Sequence, residues 1–152
     1  MKSRINELIL TCFYIGKFKY APGTICSLVA LILLFLSNYF FNNYFFMIKI
    51  VFLFIIVVIG FASTYIYSKI NIDGKDPSYI VVDEFIGMFI SVLFINESNY
   101  LLYLFAFILF RFFDILKPSF IEHSQHIKYG LGIIMDDMLS GVFVLLIMLT
   151  II

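Results

Sequence analysis

Apolar residues run along this chain in long blocks separated by short polar clusters. Five blocks stand out, at about 27–41, 46–68, 78–95, 100–116 and 132–152. A helix needs roughly 17–25 predominantly apolar residues to cross a bilayer. The first block is short, with an alternative start at Thr24. The pattern predicts an all-α, polytopic membrane bundle of about five spans, in one membrane-embedded domain over 1–152. Residues 3–19 are read as a short amphipathic helix lying at the interface, within an interfacial segment 1–20. Asp76-Pro77 reads as the N-cap and first helical residue of the third span. Pro118 is expected to end the fourth, and an uncharged turn over 38–45 to join the first two.

Composition sharpens this picture. Of the 152 residues, 63% are hydrophobic and 13% charged, against about 25% charged in ordinary soluble domains. The formal net charge is zero, so no overall attraction to nucleic acid is indicated. Lys2 and Arg4 precede only a brief apolar stretch, so no cleavable signal is expected. Cys12 and Cys26 lack metal-ligand spacing and suggest no disulfide framework; both are read as packing residues.

Basic residues orient the spans. Lys2, Arg4, Lys17, Lys19, Lys69, Lys75, Arg111, Lys117 and Lys128 all fall on one side, leaving only Lys49. The N-terminus is therefore expected in the cytoplasm. Every acid except Glu97 shares that side. A charge-dense cytoplasmic face over a bland external half suggests a site, where a carrier would place polar groups near the midplane.

Two acidic pairs stand at the mouths of apolar blocks: Asp83-Glu84 and Asp136-Asp137. An acid at bilayer depth costs roughly 2.5–3.5 kcal/mol, so four imply a penalty on the order of 10 kcal/mol. A divalent cation is the simplest way to offset it. Gly87 follows the first pair, and Ser140 and Gly141 the second; small residues let membrane helices approach closely. The two pairs are thus expected to face each other across one cleft. Arg111, Asp114 and Lys117, at steps of three, share a helix face and suit phosphate binding. Ala21-Pro22-Gly23-Thr24 opens the first span, with Thr24 or Ser27 as cap and a helix N-terminus as an anion site. His123 and His126 are read as surface residues, since further zinc ligands are missing.

Four stretches together resemble the phosphatidylglycerophosphatase A family. They are Ala21-Pro22-Gly23-Thr24 with Ser27; Asp76-Pro77-Ser78-Tyr79-Ile80-Val81-Val82-Asp83-Glu84-Phe85-Ile86-Gly87; Phe110-Arg111-Phe112-Phe113-Asp114-Ile115-Leu116-Lys117-Pro118; and Gly130-Leu131-Gly132-Ile133-Ile134-Met135-Asp136-Asp137 with Gly141. They follow the family's order and spacing, with Cys26 where the family has Gly and Phe120 where it usually has Pro. The resemblance implies a magnesium-dependent lipid phosphatase at the inner face of the plasma membrane. It would convert phosphatidylglycerophosphate to phosphatidylglycerol and inorganic phosphate. On this reading Asp83, Glu84, Asp136 and Asp137 hold one or two Mg²⁺, and Arg111 and Lys117, with Thr24 and Ser27, bind the phosphate. Asp114 orients Arg111 or serves as general base, and Asp83 and Asp137 join it as catalytic residues; water and an aspartyl nucleophile both remain open. The alternative is a small cation transporter or proton-coupled carrier using the same carboxylates.

Overall fold

The computed structural model describes residues 4–41, 46–70, 77–95, 99–118 and 130–152. Every regular element among them is helical: α1 (Arg4–Leu10), a 3-10 turn (Ile15–Lys17), α2 (Pro22–Phe41), α3 (Phe46–Ile70), α4 (Val82–Ser91), α5 (Tyr100–Leu116) and α6 (Leu131–Leu149). Among the described residues, three stretches are long and apolar enough to cross a membrane: Pro22–Phe40 in α2, all of α3 and all of α6. The block at 100–116 is a 17-residue helix with the expected bounds. The Asn99 side chain accepts from the Leu101 N–H at its start. Lys117 closes it in the left-handed conformation, returning its N–H to the Phe113 carbonyl at 3.0 Å, and Pro118 follows.

The remaining boundaries differ from the pattern for identifiable reasons. Helix α2 begins at Pro22, ahead of Thr24 and Ser27. The Ala21 carbonyl accepts the Ile25 N–H at 3.1 Å, and a proline at the first helical position has no useful donor to lose. Neither Thr24 nor Ser27 is the cap; the Ser27 hydroxyl donates back to the Gly23 carbonyl at 2.8 Å. The same helix runs on to Phe41, so Asn38 lies inside it, buried, and does not open a turn.

Helix α4 begins at Val82, not Pro77, and spans only 10 residues; Asp76 lies outside the described residues. Segment 77–81 is held out of the helix by bonds to other parts of the chain. The Val81 N–H donates to the Leu10 carbonyl at 2.9 Å. The Val81 carbonyl accepts from the Cys26 thiol at 3.1 Å and the Cys12 thiol at 3.7 Å. Both cysteines are free, and each serves as a packing residue on this one carbonyl. Beyond Ser91 the chain turns, and the Asn38 amide donates to the Ile95 carbonyl at 2.6 Å.

The helix expected over 3–19 covers only Arg4–Leu10. Cys12, Phe13 and Tyr14 are all left-handed, with φ of 42, 57 and 69°. Thr11 supports that turn: its hydroxyl donates to the Glu7 carbonyl at 2.8 Å and accepts the Tyr14 N–H at 3.0 Å. Lys17 then reaches back to Glu7 at 2.6 Å. This hydrogen bond raises the Lys17 pKa.

Helix α4 is the hub. It packs most extensively on α6, then on α2, with α3 and α5 alongside. The α4–α6 contact is backbone on backbone. A Cβ at Gly87 would lie 2.6 Å from both the Asp137 carbonyl oxygen and the Phe110 ring, and one at Gly141 would fall on the Gly87 carbonyl. Close packing of this kind, more than water exclusion, joins helices in lipid. Around it lie the fully buried side chains of Met88, Phe89, Tyr103, Phe110, Val144 and Met148.

Candidate active site

The late start of α4 places Asp83 and Glu84 in its first turn. The Gly87–Gly141 contact brings that turn against Asp137 of α6. One carboxylate oxygen from each of Asp83, Glu84 and Asp137 lies within 4.8 Å of the other two. Asp83 and Asp137 are almost wholly buried and Glu84 is half-buried. The expected meeting of the two acidic pairs therefore occurs for three of their four members.

Asp136 takes a different partner. Adjacent residues on an α-helix project about 100° apart, and this turns Asp136 onto Lys117, Nζ to Oδ2 at 2.5 Å. Burial of Lys117 favours its neutral form, but the Asp136 hydrogen bond and the charges of Asp136, Asp137 and Asp114 outweigh it. The ammonium is held above its ordinary pKa. Lys117 is thus a cation poised at the edge of the cluster, positioned by Asp136.

Arg111 bridges α5 to α2. Its guanidinium meets Asp114 Oδ2 at 2.5 Å and donates to Ser27 Oγ at 3.4 Å. The Arg111 Nε is buried with no hydrogen-bond partner, and so is Oε2 of Glu84. Buried polar atoms are rarely left unpaired without a reason. Ser27, which Arg111 reaches, lies one turn beyond Gly23, against which the Glu84 carboxylate packs, so Arg111, Asp114 and Glu84 surround one small volume.

The first turn of α2 forms another wall. A Cβ at Gly23 would fall on the Glu84 carboxylate. Gly23 is therefore needed so that Glu84 can lie against the positive end of a helix dipole. Sequence reasoning assigned Gly23 only a turn; the signal for its role was its place in the motif beside Pro22. Thr24, in the same turn, is half-buried. His123 and His126 lie outside the described residues.

Among the described residues the charges do not balance. Asp83, Glu84, Asp114, Asp136 and Asp137 face Arg111 and Lys117, so five carboxylates meet two cations. The donors at the centre are all hard oxygens, as Mg²⁺ prefers. Opposite ligands of a Mg²⁺ octahedron with bonds of about 2.0–2.1 Å stand ~4.2 Å apart. The three-carboxylate group, its oxygens within 4.8 Å of one another, is near that size and has the donor set such an ion takes, with one Glu84 oxygen unpartnered.

A second buried polar group was not foreseen. Lys49 of α3, the basic residue that broke the charge partition, is 3% exposed. Its Nζ donates to Asn38 Oδ1 at 2.8 Å. Asn38 also donates to the Tyr103 hydroxyl, which reaches the Ile95 carbonyl at 3.3 Å.

Comparison with known proteins agrees with the family resemblance. The family model described as phosphatidylglycerophosphatase A matches residues 8–152. A Bacteroides thetaiotaomicron protein carrying the provisional description phosphatidylinositol-3-phosphatase is 35% identical, over 93% of this chain and 89% of its own. Phosphatidylglycerophosphatase A of Haemophilus influenzae is 33% identical, over 95% and 87%. That of Escherichia coli is 27% identical, over 93% and 83%. No solved structure matches. With nearly its whole length matched, the chain belongs to the phosphatidylglycerophosphatase A family.

Proposed function

We infer that this protein hydrolyses the terminal phosphomonoester of phosphatidylglycerophosphate, yielding phosphatidylglycerol and inorganic phosphate. The observation that carries this reading is the convergence of Asp83, Glu84 and Asp137 beside Arg111, in a chain of this family. Asp83, Glu84 and Asp137 would hold Mg²⁺. Charge neutralisation of the phosphate and activation of a water are what that ion supplies when bound. Arg111 and Lys117 bind phosphate oxygens, the former as a planar fork and the latter as a point charge. Ser27 and Asp114 fix the direction of Arg111, and Thr24 lies in the turn facing the same volume. Hydrolysis adds a water oxygen to phosphorus and breaks the bond to the glycerol oxygen. Of the two carboxylates outside the three-acid group, Asp136 is bound to Lys117; Asp114, beside Arg111, takes the water proton and passes it to the departing glycerol oxygen.

The charge partition supports a chain crossing the plasma membrane several times, the 10-residue α4 being too short to cross as a helix by itself, with this cluster at the cytoplasmic face. A lipid phosphate at headgroup level would reach it while the acyl chains stay in the bilayer. The carrier reading gains nothing from family membership. A phosphatidylinositol bearing a 3-phosphate is the second reading, favoured by the Bacteroides relative. Purified protein, given each lipid in turn with and without Mg²⁺, tests both. Phosphate release from phosphatidylglycerophosphate is expected, lost with EDTA and restored by Mg²⁺. Full turnover in metal-free buffer would overturn the metal assignment, and release from the inositide alone would reassign the substrate.

A further inference from the structure

One cavity lies away from the carboxylates. It has a volume of about 190 Å³ and opens between α2, α3 and α4, with Leu33, Leu34, Phe52, Phe85, Phe89 and Lys49 among its walls. Phe52 and Phe89 form a continuous aromatic side, their ring centroids 5.9 Å apart. The hydroxyl of Ser37, also at the wall, is taken by the Leu34 carbonyl at 2.7 Å. A stable water needs two to four polar partners, and these walls present almost none. Leu33 and Phe52 are about half exposed, and they belong to two helices long and apolar enough to span a membrane. The cavity therefore opens towards lipid hydrocarbon.

Its position ties it to the reaction. Phe85 follows Glu84 directly, and Phe89 lies one turn further along α4. The α2 wall belongs to the helix whose first turn meets Glu84. The cavity thus lies beyond the carboxylates along α4, with Lys49, whose buried ammonium is bound to Asn38, in its wall. Hydrocarbon gains nothing by extending past that charge.

We propose that this cleft seats one acyl chain of the phospholipid substrate, anchoring it while the phosphate lies among Arg111 and the carboxylates. The proposal rests on the lipid-phosphatase reading above. It names which part of the lipid the protein grips and where.

Leu33→Trp fills the mouth of the cleft from a half-exposed position. Ile108→Trp, on the exposed face of α5, is the control. Each is assayed in detergent with dioleoyl phosphatidylglycerophosphate and with the same headgroup lacking acyl chains. Leu33→Trp is expected to lower kcat/KM for the dioleoyl lipid about tenfold, leaving the deacylated headgroup unaffected; Ile108→Trp should change neither. Equal losses on both substrates, or no loss on either, would overturn the proposal. A photoreactive diazirine placed mid-chain in the lipid gives a second readout on the wild-type protein. Adducts concentrated on Leu33 and Phe52 support the seat, and adducts spread evenly over α3 and α5 overturn it. If wild-type protein releases phosphate from neither substrate, the phosphatase reading falls and the crosslink alone decides the seat.

Discussion

Among its described residues this bundle buries charge in two places, and the two are built differently. Around Lys49 one ammonium is tied to Asn38, and Asn38 to Tyr103 and the Ile95 carbonyl. Around Asp137 the carboxylates outnumber the cations, and polar atoms of Glu84 and Arg111 stand without partners. A closed network specifies how helices meet. An open, charge-imbalanced one costs stability unless something binds there. The contrast teaches how to separate a structural polar core from a site when both are buried in apolar helices.

The sharpest way to break that contrast is to neutralise the open cluster. Asp83→Asn and Asp137→Asn should each reduce phosphate release about 10³-fold, which is ~4 kcal/mol of transition-state stabilisation. Both should still fold, because removing a buried like charge relieves repulsion. Near-normal hydrolysis in either folded variant would place the chemistry elsewhere. Arg111→Lys should cost about 10²-fold, since an ammonium cannot reproduce the guanidinium fork between Ser27 and Asp114; steady-state kinetics would show the loss in kcat as well as KM. Asp136→Asn sharpens the distinction between neighbours. Its loss should be about tenfold and should sit in KM, because it frees Lys117 without touching the three-acid group. If Asp136→Asn proved as damaging as Asp137→Asn, Asp136 would rejoin the metal set. At the closed network the sign of the experiment reverses. Asn38→Leu should leave kcat unchanged while lowering stability by about 3 kcal/mol, because it strands a buried ammonium; thermal unfolding in detergent would report it.

How much of this was legible beforehand follows from what each residue needed to reveal itself. The long helices announce themselves because an apolar run of membrane length has few alternatives. The ends of α4 do not. Ile80, Val81, Val92 and Ile95 are equally at home in helix or turn, and their state depends on Leu10, Cys12, Cys26 and Asn38. The approach of α4 to α6 could be read from Gly87 and Gly141, since small residues mark close contacts. The division of labour between Asp136 and Asp137 could not, because it depends on how α6 is rotated against α4. Lys49 drew notice only as an exception to the charge partition; its partner Asn38 had looked like the start of a turn.

The bond from the Val81 N–H to the Leu10 carbonyl also sets a timetable. Residue 10 leaves the ribosome 71 residues ahead of the group that will hold it. At about 5–20 residues per second of synthesis, that is a wait of roughly 4–14 s. Throughout it, the turn at Cys12-Phe13-Tyr14 has no α4 to close upon. Helix α1 can meet α3 sooner, since the Asn6 amide donates to the Ser63 carbonyl, but the Leu10 carbonyl itself waits until the segment just ahead of Asp83 and Glu84 has been made.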